Sequence, residues 1–297
     1  MQRVVHSFKA DNNIESQEVV YAKTALHGLY AHPEGLEPPV VQPSAQLVRA
    51  EPMPLEQEPL SLVKQPVLLI NKDVYNELNI DMLLGNVSRT YTLTTDAKEC
   101  THFIVGKLAK TELFLCCLAG GKWIVAPSFL TASSERGNFV QEAAHEWNVE
   151  RVKQTCLRSS TLLLGEACHR QRRASERPFT QWDVILTCSG PARTAGFHRV
   201  LESGGCKSIA HCTSKEVLEK AQSGELQSHH PDTTLHILSD DNMWSESDME
   251  QLAEWCKAPV LRLEYMVHFM SVENPNPAEY ELLQNVRSKK RSRTASR

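Results

Sequence analysis

Histidine and cysteine are the residues of widest chemical reach in this chain, twelve and nine of them in 297 residues. The cysteines, at 100, 116, 117, 156, 168, 188, 206, 212 and 256, contain no Cys-x-x-Cys pair, and several fall in apolar stretches. An odd number in such settings predicts reduced, buried thiols. Cys206, His211 and Cys212 bring metal-ligating types close together, but their spacing fits no zinc-finger pattern, and ordinary packing is the simpler reading. His229-His230 lies in a polar Ser/Pro/Asp stretch where exposure to solvent is the default. No Gly-x-Ser-x-Gly, phosphate loop, dinucleotide fingerprint or paired-His metal motif occurs. Gly120-Gly121 stands at a predicted helix end, the wrong place to cradle phosphate. The expectation is therefore a binding protein without a catalytic centre, a metal or a cofactor.

The elements that position such residues are clearest between Cys100 and Val125. Cys100–Val105 reads as a strand, bounded by polar residues and by Gly106. A helix over 111–119 is apolar on every side from Leu113 to Ala119, so it must be covered all round. Gly120 is expected to supply the positive φ that stops it, and Trp123-Ile-Val125 resumes as a strand. Strand, helix and strand in this order make a parallel crossover unit.

Upstream, Val67–Ile70 is a buried strand, and Asp73 can cap a helix that places Val74, Leu78 and Met82 on one face. Ser88–Thr95 alternates as a strand. Pro127 suits the first turn of a helix carrying Phe129 and Leu130, which stops near Gly137. The same order returns later as an internal repeat. It runs through strand Trp182–Thr187, a helix with Phe197, Val200 and Leu201 on one face, a stop at Gly204-Gly205, and strands at Cys206–Cys212 and Thr234–Leu238. Ser247 to Glu250 reads as a capping box for a helix bearing Met249, Leu252, Ala253 and Cys256. Pro259–Leu263 and Tyr265–Met270 close the unit. The predicted fold class is α/β, two tandem units each with a four-stranded parallel sheet flanked by three helices.

These residues resemble the BRCT repeat family, in Thr101-His102 before a strand, the Gly-Gly turn and the aromatic of the last strand and helix. More narrowly, Gly137–Glu142, His145-Glu-Trp147, Ala195–Gly205 and Leu261–Tyr265 resemble the last BRCT pair of the topoisomerase II-binding protein family. The resemblance covers roughly 65–285. It implies a nuclear, non-catalytic scaffold for protein partners in replication initiation and the DNA damage checkpoint, with self-association as a further option. It also implies a phosphopeptide pocket, in which a hydroxyl after the first strand and a Lys in the second helix grip the phosphate. The matching positions here are Ile70 or Asn71 and Leu113, so the usual ligands are missing. Lys110 matches a residue that holds the peptide backbone, and Thr111 or Asn71 remain as donors. Leu115, facing Thr194 and Ala195 of the second repeat, would line an inter-repeat groove.

The net charge of −4 averages regions of opposite sign. Residues 1–63, with seven prolines between Pro33 and Pro59, are expected to be disordered apart from a short helix around 19–29, with Ser16-Gln17 as a kinase-site candidate. Repeat one is assigned to 64–148, a basic helical linker to 149–178, repeat two to 179–283 and a basic tail to 284–297. The linker carries seven basic residues from Arg151 to Arg177, read either as a helix that packs the repeats together through Leu157 and Leu162–Leu164 with its arginines solvated, or as a contact for DNA phosphates. Residues 221–256 hold eight acids and no Lys or Arg, which could attract the linker or repel DNA. Arg287, Lys289, Lys290, Arg291 and Arg293 read as a nuclear localisation signal, against the plainer reading of a charged tail. No apolar run is long enough to span a membrane, and the start lacks a secretory core, so an intracellular soluble protein is expected.

Overall fold

The computed structural model describes residues 65–155, 158–228, 231–256 and 258–283. The N-terminal segment with Ser16-Gln17 and its short helix, Cys156, Leu157, His229-His230 and the basic tail from Arg287 to Arg293 lie outside the described residues.

Repeat one runs β1 (Val67–Ile70), α1 (Lys72–Glu77), α2 (Ile80–Gly85), β2 (Thr92–Leu93), β3 (His102–Ile104), α3 (Glu112–Ala119), β4 (Trp123–Val125) and α4 (Ser128–Arg136). Two linker helices follow, α5 (Val149–Thr155) and α6 (Ser159–Arg173). Repeat two runs β5 (Trp182–Thr187), α7 (Pro191–Ser203), β6 (Ser208–His211), α8 (Ser214–Gln222), β7 (Thr234–Ser239), α9 (Glu246–Trp255), β8 (Val260–Arg262) and α10 (Glu264–Ser271). Each repeat forms one four-stranded parallel sheet, in the orders β2-β1-β3-β4 and β6-β5-β7-β8. The expected α/β class, two such sheets with flanking helices, is the one observed.

Local chemistry explains where the elements depart from expectation. The first helix is two helices. Leu78 adopts extended backbone, and Asn79 caps α2 by accepting the Met82 N–H at 3.1 Å. Asp73 therefore sits in the first turn of α1, not at its cap, and Met82 is 58% exposed while Ile80, Leu83 and Leu84 turn inward. Of Ser88–Thr95 only Thr92–Leu93 pairs with β1, because the Ser88 N–H and hydroxyl are both drawn to the Gly137 carbonyl. Gly120 is a right-handed C-cap, and Gly121 takes the left-handed turn at φ +57°. The capping box of α9 is Ser245 with Asp248, not Ser247 with Glu250. Trp244, buried with its indole N–H on the Ser239 hydroxyl at 2.9 Å, fixes where the chain enters that helix. Ala253 consequently faces solvent while Met249 and Leu252 are buried. Repeat two also holds α8, a helix beyond the three expected, started by a capping box of Thr213 and Glu216.

One continuous core crosses the repeats. Phe114, Leu115 and Leu118 of α3, Val200 and Leu201 of α7, Met266 and Met270 of α10, and Leu164 and Cys168 of α6 belong to a single buried cluster. Helix α3, apolar all round, is thus covered on the far side by the second repeat.

Candidate partner-binding site

In each sheet the chain leaves the two central strands in opposite directions, which opens a crevice at their carboxyl ends where ligands of open parallel sheets sit. In repeat one that crevice is bounded by Asn71 after β1 and by the start of α3. Asn71 is half-buried, donates its N–H to the Ile104 carbonyl at 2.9 Å and makes no side-chain cap to α1. Ile70 belongs to the apolar core. The Thr111 hydroxyl accepts the Phe114 N–H at 3.3 Å, so its first duty is to cap α3. Leu113 is half-buried against the inter-repeat core, which gives its apolar character a packing role. Lys110 is exposed.

Across the junction, repeat two contributes residues that sequence reasoning passed over. Burial, followed by the charges of Lys110 and Arg262, holds the His268 imidazole below its ordinary pKa. The two cations, from different repeats, therefore both bear on one histidine. His268 Nδ1 is hydrogen-bonded to the Tyr280 hydroxyl, and the Arg262 guanidinium lies 5.7 Å from the Tyr280 ring while its Nη2 donates to the Glu279 carbonyl at 3.2 Å. Burial, followed by the charge of Glu279, raises the Tyr280 pKa at this rim of the junction. Nothing local marks these positions, because more than 150 residues separate Lys110 from Arg262.

Below the rim the junction is closed. Leu115 is only 5% exposed, so it serves as contact between repeats, and Thr194 and Ala195 are half-buried on α7. The Thr194 hydroxyl donates to the Gly190 carbonyl at 3.0 Å. Ion pairs Lys98 to Glu202 at 2.8 Å and Arg199 to Glu112 at 2.5 Å frame the α3–α7 contact. The linker packs. Arg172 grips the buried Glu146 carboxylate with both arms, at 2.6 and 2.9 Å, and lies 3.6 Å over the Trp123 ring. Arg170 and Gln171 both donate to the Met270 carbonyl at 2.9 Å, and Leu164 is buried, although Leu163 remains exposed.

The matching crevice of repeat two is filled from within. The Ser189 N–H and hydroxyl meet Asp240 Oδ2 at 2.8 and 2.7 Å, and Arg193 Nε meets Oδ1 at 2.8 Å. Among the described residues no group of three or more His, Cys, Asp or Glu side chains gathers as a metal site, and Cys206 is instead buried with its thiol on the Trp182 and Ser208 carbonyls. No helix of the described residues is long and apolar enough to cross a membrane.

Residues 86–147 match the family model described as the Regulator of Ty1 transposition protein 107 BRCT domain. Repeat two repeats the strand order of the repeat that carries this match. The fold is that of a tandem BRCT pair. Among curated proteins the chain is 25% identical over 190 residues to the SMC5-SMC6 complex localization factor protein 1 of Mus musculus, spanning 63% of this chain and 16% of that protein. The tandem pair thus spans about a sixth of that relative's length. Solved structures similar to it include the BRCT5-BRCT6 domains of S. pombe Brc1, at 16% identity and a TM-score of 0.48, covering 70% of this chain and 93% of that one. Rtt107p in complex with a phosphorylated histone is 10% identical, with a TM-score of 0.48 and coverage of 71% and 88%.

Proposed function

We propose that the chain is a non-catalytic nuclear adaptor of the DNA damage response that holds protein partners against the junction of its two BRCT repeats. The observation that carries this reading is the junction itself, where one core joins α3 of repeat one to α7 and α10 of repeat two, with Lys110 exposed just before α3 and Arg262 of the other repeat anchored on the Glu279 carbonyl. Cations held by two docked domains suit an acidic or phosphorylated peptide lying across the seam. The similarity to SMC5-SMC6 localization factors and the motif resemblance to topoisomerase II-binding proteins lead to the same coarse role. The second resemblance adds replication initiation and checkpoint signalling, and nuclear import through the basic cluster from Arg287 to Arg293.

Phosphate itself is given a minor share. With Ile70 and Leu113 at the usual ligand positions, Asn71, Lys110 and Thr111 remain as the phosphate contacts, and the Thr111 hydroxyl is already used as a cap. Matched phosphorylated and unphosphorylated peptides, titrated by fluorescence anisotropy, should differ less than about tenfold, equivalent to about 1.4 kcal/mol. A larger preference would restore a dedicated phosphate pocket. Lys110→Glu should weaken both peptides, and unchanged affinity would remove the rim as the site.

Direct DNA contact through the linker is the second reading. It is disfavoured because Arg170 and Arg172 are spent on internal contacts. Phosphate contacts would show as binding that falls steeply with salt.

A further inference from the structure

Away from that rim, His198 on α7 and His211 at the end of β6 face each other with Nδ1 and Nε2 2.9 Å apart. Their rings stand perpendicular, with centroids 5.0 Å apart. The contact holds a single proton. One imidazole donates it and the other accepts it through the lone pair that would otherwise bind a metal. His211 is exposed and His198 half-buried, so both are open to an ion from solvent.

We propose that His198 and His211 form a surface site for a divalent late first-row transition ion of the Ni²⁺, Cu²⁺ and Zn²⁺ class. Imidazole nitrogen suits these ions, and Mg²⁺ prefers oxygen. At metal–nitrogen distances of about 2.0–2.1 Å, two nitrogens 2.9 Å apart subtend about 90° at the metal, the angle between adjacent ligands of a tetragonal ion. A tetrahedral ion would require the nitrogens to part to about 3.3 Å, a change that two surface side chains can make by rotation. On binding, the donor ring moves its N–H to its other nitrogen, so two neutral imidazoles bind the ion without net proton loss. Water completes the shell, since no third ligand gathers there among the described residues. Glu202, one turn along α7, adds negative charge beside His198 while its carboxylate stays on Lys98. The ion would bridge α7 and β6 and stabilise repeat two.

The test is thermal unfolding of the full chain, free of any polyhistidine tag, with CuCl₂, NiCl₂, ZnCl₂ or MgCl₂ in excess. Copper and nickel are expected to raise Tm by about 2–4 °C, zinc by no more than that, and magnesium not at all. His198→Ala and His211→Ala should each abolish the rise, and the Cu²⁺ spin-resonance spectrum should show coupling to two imidazole nitrogens. No rise with any transition ion would overturn the proposal. So would a rise retained in both variants, which would move the binding elsewhere, for example to His229-His230, or a copper spectrum without nitrogen coupling. His211 is exposed at a strand end, so its variant is expected to fold normally even if His198→Ala does not.

Discussion

Arg172 is the residue on which the linker depends. It neutralises a buried carboxylate and covers an aromatic ring at once, and only a planar, forked cation can do both. Arg172→Ala leaves Glu146 charged and buried, and should cost about 3–5 kcal/mol in urea unfolding. Arg172→Lys should recover only part of that, because an ammonium lacks the second arm. A loss below about 1 kcal/mol for the alanine variant would mean that His169, whose Nδ1 lies 3.1 Å from Glu146 Oε2, is enough to hold the carboxylate. The histidines set the pH response. His236 stacks on Trp182 with ring centroids 4.1 Å apart, and burial lowers its pKa despite a hydrogen bond with the Thr234 carbonyl. Its folded form resists protonation, so the unfolded chain binds more protons once pH falls below its own value of about 6.5. The histidine contribution is therefore flat above about pH 7 and declines below about 6.5, and His145 and His268 act in the same direction. The urea midpoint should be lower at pH 5.5 than at 7.5. His236→Phe should shrink that difference, and an undiminished difference would assign it to other groups. The buried thiols were legible as such from their apolar setting, and burial pushes Cys116 up to about 12 and Cys206 to about 11.

At the scale of elements, the double glycines show how one sequence feature divides its work. In both repeats the first glycine keeps a negative φ and the second a positive one, with Gly121 at φ +57° and Gly205 at φ +87°. A Cβ on Gly204 would come within 2.2 Å of the Phe179 ring, which is fully buried and cannot give way. One on Gly121 would meet the mobile end of Arg177 at 1.7 Å, and strained backbone besides. Gly204→Ala should cost at least about 1–3 kcal/mol through overpacking alone. Gly121→Ala should cost at least about 1–2 kcal/mol through its left-handed backbone, since Arg177 can swing aside but the Gln171 carbonyl, 3.0 Å from the added Cβ, is backbone. Equal stability of wild type and Gly204→Ala in chemical denaturation would contradict the close approach. The stop itself was readable from Gly-Gly, whereas which glycine turns left depends on the chain beyond it. Helix α8 was not expected, although Thr213-x-x-Glu216 is a capping signal, and neither was the break between α1 and α2, since Leu78 continues a helical apolar period and leaves it only because Asn79 opens a new cap.

For the whole molecule, the shared core implies shared stability. Leu115 lies within a cluster drawn from both repeats, while the ion pairs around it are exposed and screened by solvent. Leu115→Ala should therefore cost about 2–5 kcal/mol. Leu115→Asp should split a single calorimetric transition into two as the repeats unfold separately. A single unchanged transition in Leu115→Asp would show that the repeats do not rely on this contact. By comparison, Arg199→Ala should barely move the transition.

The sequence by itself determined the repeated strand order, the parallel sheets and the buried character of α3, because apolar periodicity and turn residues act within a few positions of each other. Tertiary structure alone decided that Leu115 would be sealed between the repeats, that Arg170 and Arg172 would turn inward, and that Arg262 would be held on the Glu279 carbonyl beside Tyr280. Those contacts join residues far apart in the chain, and their energies depend on a geometry that only the docked fold creates.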